Sequence, residues 1–311
     1  MWVAHGIEHQ KPIKPTTLTI GAFDGVHLGH QALIRTVVNT ANSHAQESVI
    51  ITFSPLPLQV FRGIQFSLLT ALEEKLVLLE NLEVDGVITI PFSPDIQSLS
   101  ALSFIDLLVK HVNLSNLWIG PDFRFGKNRE GDLNLLTEAG KHYNFNVHAY
   151  RDTVLWAGAP VHSSRIRKAL RSGNLDEVNG CLGRPYSLTG TVEHGDSRGR
   201  ALGFPTANLQ VPEERMLPAN GVYLAQAWIF DEAHIALVNV GTRPTFDHHP
   251  PNVEAHLLNF TDNIYGLRLR LEFLHYIRPE LRFPSADALV KQMHKDKNNG
   301  LAWWSSHKQA L

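Results

Sequence analysis

The chain has one cysteine, Cys181, among its 311 residues, which excludes an intrachain disulfide framework and points to a reducing compartment. It has little excess of either charge. With 28 Lys and Arg against 30 Asp and Glu the formal net charge is −2, so the basic surplus of a nucleic-acid binder is missing and any anionic ligand should be small. No run of apolar residues is long enough to span a bilayer, and the opening MWVAHGIEHQKPIKP lacks the apolar stretch of a signal peptide. Internal repeats and low-complexity tracts are absent. These absences predict a cytoplasmic protein with neither membrane nor nucleic-acid partner. What remains is an ordinary globular composition, 43% hydrophobic and 19% charged, in a length that suits two domains.

Residues 21–30 read GAFDGVHLGH, with three glycines beside His27 and His30. The preceding TTLTI is β-branched and predicts a strand ending at Ile20. After the motif, Leu33, Ile34, Val37, Val38 and Ala41 recur at helical spacing, which predicts an amphipathic helix beginning near His30. A strand-to-helix turn of this kind has unpaired amides and a helix dipole that favour phosphate. As an isolated pattern it would equally suit a tight turn, so the context decides. SVIITF reads as a strand, TALE at Thr70 as a capping box with Glu73 opening a helix, and GVITI as a strand. A helix around Leu102, Ile105, Leu108 and Val109 and a strand LWIG follow. The alternation predicts a parallel sheet covered by helices, with ligands at the carboxyl ends of its strands.

Two further stretches suit the same ligand. GPDFRFGKNREGD, residues 120–132, follows a strand and combines Asp122, Arg124, Phe123 and Phe125. HSSRIRKAL opens a helix with Ser163 and Ser164 and places Arg165 and Arg167 in the first turn, where cations oppose the dipole and a bound anion would offset the cost.

After residue 186 the period changes. LRLRLEFLHYI alternates in the manner of a half-buried strand, and SLTGTVEHG, GVYLAQAWIF, HIALVNVG and VEAHLLNF are further strands without intervening helices. An antiparallel barrel or sandwich is expected, with one helix from Ser285 packed outside it and RSGNLDEVNGCL as a short helical connector before the boundary. Within GDSRGRALGFPTANL, Thr206 and Asn208 lie two residues apart and would face the same way on an extended segment; such hard oxygens suit Mg²⁺ shared with nucleotide phosphates. Glu254 lies on the face opposite Val253, Ala255 and Leu257, where a carboxylate is ordinarily only solvent-facing.

Taken in order along nearly the whole chain, GAFDGVHLGH, GPDFRFG, SSRIR, GRPYSLTGTVEHGDSRGRALGFPTANL, LPANGVY, NVGTRPTF, VEAHLLNF and YGLRLRLEFLHYIRPELRF resemble the prokaryotic bifunctional riboflavin kinase/FMN adenylyltransferase family, also called FAD synthetase. The resemblance implies an α/β plus all-β protein. A Rossmann-like nucleotidyltransferase domain over residues 1–182 would precede a six-stranded riboflavin kinase barrel over 183–311. It implies ATP and Mg²⁺, with riboflavin, FMN and FAD as substrates and products. Glu254 would be the general base of the kinase, Thr206 and Asn208 its metal and phosphate ligands, and Gly195, Arg198, Gly199 and Gly203 its nucleotide loop. His27 and His30, with Gly21, Phe23, Asp24, Gly25, Gly29, Ser163, Ser164, Arg165 and Arg167, would grip the ATP phosphates for adenylyl transfer. Asp122, Phe123, Arg124 and Phe125 would lie near the flavin.

Ser54 and Leu56 stand where the family has an acidic residue and a histidine, and His162 where it has the first serine of Ser-Ser-Thr. Two alternatives stay open at this level: a riboflavin kinase with a weak or inactive adenylyltransferase half, and a non-catalytic flavin-binding regulator. Retention of His27, His30, Thr206, Asn208 and Glu254 argues against the second, since binding alone needs no base. No feature of the sequence specifies an oligomeric state.

Overall fold

The computed structural model describes residues 1–9, 12–63, 66–120, 122–194, 203–241 and 252–308. It divides into two compact units, Met1–His162 and Ser163–Leu311. The first holds strands β1 (Trp2–His5), β2 (Thr16–Ile20), β3 (Glu47–Phe53), β4 (Gly86–Ile90), β5 (Leu114–Ile119) and β6 (Asn146–Ala149), with a small ribbon of β7 (Leu155–Trp156) and β8 (Ala159–Pro160). Its helices are α1 (Leu28–Ser43), α2 (Pro57–Arg62), α3 (Leu72–Glu80), α4 (Pro94–Ser98), α5 (Ala101–Val112) and α6 (Leu133–Tyr143).

The six main strands run in the order β1-β4-β3-β2-β5-β6, every neighbour parallel. β2 and β4 are buried at every residue, as strands covered on both faces must be. One face packs Ile34, Val37 and Val38 of α1 and Leu79 of α3 against Ile50 and Val87. The other packs Phe104, Ile105 and Leu108 of α5 and Leu136 of α6 against Leu18, Ile51 and Leu117. From β2 the chain moves outward to β3 and β4, then returns to place β5 on the other side of β2. The strand order therefore reverses between β2 and β5, and the loops leaving their carboxyl ends open at a topological switch point. Those loops are residues 21–27 and 120–132.

One local expectation, the capping box at Thr70, is corrected and two are refined. α1 starts at Leu28, because the ring of His27 acts as its N-cap by accepting from the amide of His30 at 3.3 Å. Thr70 does not cap α3: Ala71 holds that position without a side-chain bond, while the Thr70 amide donates to Asp24 at 3.1 Å. A carboxylate brought in by the tertiary fold takes the donor that the local box would have used. Leu102 is 57% exposed, since the buried stripe of α5 is formed by Ala101, Phe104, Ile105, Leu108 and Val112.

The second unit opens with α7 (Ser163–Arg171) and α8 (Leu175–Leu182), continues through β9 (Tyr186–Glu193), β10 (Ala207–Gln210), β11 (Gly221–Ile229), β12 (Glu232–Gly241), β13 (Asn252–Leu257) and β14 (Arg268–Arg278), and ends in α9 (Ala286–His307). The strands close into a barrel in the order β10-β13-β12-β11-β14-β9, with antiparallel pairing throughout. Leu188, Ala225, Val238, Ala255, Leu269 and Leu271 fill it, and alternate residues face outward, as a period of two requires. Ser285 caps α9 through the amide of Ala288, and Gly300 brings that helix close to Leu224, Leu237 and Ile277 on the barrel wall.

The division at 162/163 precedes the expected 182/183 because α7 and α8 pack with the barrel. Asn179 explains the attachment. Its Nδ2 donates to the Phe273 carbonyl at 2.9 Å, its Oδ1 accepts from the Tyr186 amide at 2.8 Å, and the Ala219 amide reaches the Leu170 carbonyl at 3.0 Å. Asn179→Ala should destabilise the second unit by about 1–3 kcal/mol, the cost of stranding buried backbone partners. A fragment of residues 163–311 should melt well above one of 183–311; equal melting temperatures would show that α7 and α8 add nothing to the barrel.

Candidate functional site

The loop after β2 is built on positive φ angles: Phe23 at 45°, Gly25 at 88° and Val26 at 40°. For a β-branched residue such as Val26 this is costly, and such strain concentrates at functional sites. Phe23 and Val26 are buried beneath α1 and anchor the loop, while Gly25 supplies the turn. His27 and His30 come together one turn apart with rings stacked at 3.5 Å between centroids and 16° between planes. Gly29 permits this, since a Cβ there would sit 3.3 Å from the His27 ring. Nδ1 of His30 is buried and has no hydrogen-bond partner among the described residues. A buried polar atom without a partner at the start of a 16-residue helix makes this end a candidate ligand position.

Beneath the loop, Asp24 accepts from the amides of Leu69 at 3.0 Å and Thr70 at 3.1 Å, which ties the loop to the segment before α3. Lys75 of α3 is only 2% exposed; its Nζ donates to the Ala22 carbonyl at 2.8 Å and to Thr52 Oγ1 at 3.3 Å. Sequence reasoning missed Lys75. The available signal was its place on the stripe shared with Leu79, the other buried residue of α3, where an apolar side chain would be due.

The second switch-point loop folds against α5. Phe125 exchanges backbone bonds with Gly131, and Glu130 accepts from the Ala101 amide at 2.7 Å. Phe125 is core, packed on Phe104 at 5.9 Å, whereas Phe123 is half-buried and stacks on it at 5.6 Å, with Asp122 and Arg124 exposed on either side. A ligand here would meet Phe123 rather than Phe125. Leu56, at one departure from the family pattern, is absorbed into a small apolar cluster with Phe66 and Leu68.

Ser163, Ser164, Arg165 and Arg167 lie on the first turns of α7, in the second unit. Arg165 Nε pairs with Glu177 Oε1 of α8 at 2.7 Å, so an internal carboxylate offsets part of the dipole cost that an anion alone was expected to meet.

On the barrel, Glu254 of β13 is flanked by Asn208 of β10 on one side and Asn239 of β12 on the other, each its direct register partner. All three point outward from the barrel interior. Glu254 and Asn239, with Thr206, line a cleft of about 370 Å³ whose far wall is Leu289, Met293 and Asp296 of α9. Asn252 Nδ2 donates to Glu254 Oε1. The cleft is closed at one end by Arg278, which grips buried Asp296 through Nε and Nη2 at 2.8–3.0 Å. Oδ1 of Asn208 is buried with no hydrogen-bond partner among the described residues. A second cleft of about 470 Å³, beside stacked His194 and Tyr265, shares Thr206 with the first. Asn239 and the Arg278–Asp296 pair carried no sequence signal, since both depend on strand neighbours distant in the chain. Gly203, at φ 79°, precedes the PTAN segment; Gly195, Arg198 and Gly199 lie outside the described residues.

Among the described residues no group of three or more His, Cys, Asp or Glu is placed to hold a metal ion, and no helix is long and apolar enough to cross a membrane. A larger cavity of about 650 Å³ lies at the amino ends of the strands, away from both loops; there Gln46 accepts from Thr17 and Asn116, and Asn116 from Asn146 and His148, so its polar groups satisfy one another.

The model of the FAD synthetase family matches residues 9–165, and that of riboflavin kinase matches residues 182–304. Curated relatives described as bifunctional riboflavin kinase/FMN adenylyltransferase include those of Escherichia coli K12, 38% identical over 93% of this chain and 92% of that protein, and Listeria monocytogenes, 34% identical over 93% and 92%. A crystal structure described as a macrolide-efflux protein from Streptococcus pneumoniae superposes with a TM-score of 0.86 at 28% identity, covering 96% of this chain and 98% of that one.

The His30 imidazole is held well below its ordinary value near 6.5, by burial first and then by His27 and Lys75. The unfolded chain therefore binds a proton here that the folded chain refuses. The contribution of His30 to stability is complete above about pH 6.5 and is lost as pH falls below that value toward the folded one. An NMR titration should find this ring neutral at about pH 6; a midpoint at the ordinary value would show that the burial does not operate.

Proposed function

Because the chain belongs to the bifunctional riboflavin kinase/FMN adenylyltransferase family, phosphorylating riboflavin to FMN with ATP and adenylylating FMN to FAD with release of pyrophosphate, we propose a division of these reactions between residues 183–311 and 1–182. The observation that carries the kinase assignment is the register that sets Glu254 between two asparagines, one with a buried oxygen that has no partner among the described residues.

Riboflavin's ribityl hydroxyl is a weak nucleophile until its proton leaves. Glu254, steadied by Asn252, accepts that proton as the new O–P bond forms to the γ-phosphorus and the bond to the β-phosphate oxygen breaks, releasing ADP. Thr206 and Asn208 offer hard neutral oxygens, and the buried unpartnered Oδ1 fits Mg²⁺, which when bound supplies neutralisation of the phosphate charge. Thr206 belongs to both clefts, so a flavin in one and a nucleotide in the other would meet beside it. The cleft against α9, with Leu289 and Met293, suits the apolar ring.

In adenylyl transfer the nucleophile is an FMN phosphate oxygen, already ionised. It forms a bond to the α-phosphorus of ATP while the α–β bridging bond breaks and pyrophosphate departs. No base is needed. The loop amides, His27 and His30 act as donors aimed at the charge that grows on the phosphoryl oxygens. With its pKa lowered, His30 works as a neutral hydrogen-bonding group rather than as a cation. On this assignment Phe123 meets the flavin. A cytoplasmic setting agrees with a single reduced, buried Cys181 and with substrates that are cellular metabolites.

Product chromatography tests the division. Glu254→Gln should lower FMN formation by about 10²–10⁴-fold with little change in ATP affinity. The double change His27→Ala, His30→Ala should abolish FAD formation from supplied FMN and leave riboflavin phosphorylation within a few-fold. Equal loss of both activities in either variant would overturn the two-site assignment.

A further inference from the structure

We propose that Lys75 is the positioning cation of adenylyl transfer, holding the GAFDGVH loop from beneath and supplying the fixed positive charge under its phosphate cradle. The inference rests on the assignment of that reaction to the loop.

A lysine almost wholly removed from water needs a reason, because burial of an ammonium is costly unless paired and hydrogen-bonded. Its Nζ meets neutral acceptors, the Ala22 carbonyl at 2.8 Å and Thr52 Oγ1 at 3.3 Å, and draws electrostatic support from Asp24. Thr52 Oγ1 also donates to the Ala22 carbonyl at 3.2 Å. Two donors thus draw one carbonyl inward. In a planar trans peptide the C=O and the following N–H point in opposite directions, so the Phe23 amide is turned away from Lys75. The lysine fixes which face of the loop offers donors.

The second part of the argument concerns charge. A histidine beside an anion could supply positive charge, yet His30 is held neutral, partly by Lys75 itself. The cation has been moved one layer down, where it is fixed by packing and acts through a poorly polarisable interior, without reorganising when the pentavalent phosphorus forms. Ionisable groups on the elements packed around it are Asp24 and His27 of the loop and His30 of α1; β3 contributes Thr52, and α3 itself carries Glu73 and Glu74. Burial, opposed by Asp24, brings Lys75 from near 10.5 to about 8. The charge is therefore present at neutral pH and lost as pH rises through that value.

FAD formation from supplied FMN and ATP should accordingly show an alkaline limb in kcat/KM for ATP with a midpoint near 8. Lys75→Met, nearly isosteric and neutral, should lower FAD formation by about 10²-fold, the scale of losing one preorganised donor. It should also flatten the alkaline limb and leave phosphorylation of riboflavin by the same preparation within two-fold, about the scatter of such comparisons. A wild-type profile flat across this range overturns the proposal without any variant. So does an alkaline limb that persists unchanged in Lys75→Met, or FAD formation by that variant within about three-fold of the parent. If His27→Ala, His30→Ala keeps making FAD, the site assignment itself fails; if it stops while Lys75→Met continues, only the role of Lys75 does.

Discussion

A strand in the middle of a parallel sheet has neighbours on both sides, so the chain must leave the layer where the strand ends. β2 is in that position, with β3 on one side and β5 on the other; the Gly21 amide still donates to the Ile51 carbonyl at 3.0 Å, and the chain then turns away into α1. The glycines, the strained Phe23 and Val26 and the pair His27 and His30 answer to that single constraint. Because the strand order reverses beside β2, the loop after β5 opens at the same end of the sheet, so Phe123 is delivered to the side of the GAFDGVH loop by topology alone.

The barrel reaches a comparable concentration of polar groups by another route. In an antiparallel barrel, residues far apart in sequence become direct neighbours through register, and one face of each strand must fill the core. Asn208, Glu254 and Asn239 occupy the opposite face of three adjacent strands at one level. α9 then covers that level from outside and converts an open sheet face into a cleft.

Much of this was legible in the sequence, and the reasons differ by element. Alternating apolar residues in LRLRLEFLHYI specify a half-buried strand regardless of context, and β14 covers Arg268–Arg278. The Gly-rich turn before an amphipathic stretch likewise specifies a strand-to-helix turn, and α1 begins at Leu28. The capping box at Thr70 failed because a carboxylate from Asp24, far away in the chain, took the Thr70 amide. Lys75 escaped because a lysine in a polar helix start reads as solvated, and only tertiary packing shows that its ammonium is enclosed. Asn239 has no local signature at all, since its position beside Glu254 exists only once β12 and β13 have paired.

The placement of α7 bears on where the chain can be divided. Ser163, Ser164, Arg165 and Arg167, assigned to adenylyl transfer, are carried by a helix that packs with α8 and the barrel unit. The barrel keeps every residue assigned to phosphorylation within its own unit. A cut after residue 162 keeps α7 and α8 with the barrel they pack against, whereas a cut after residue 182 bares the barrel surface they cover.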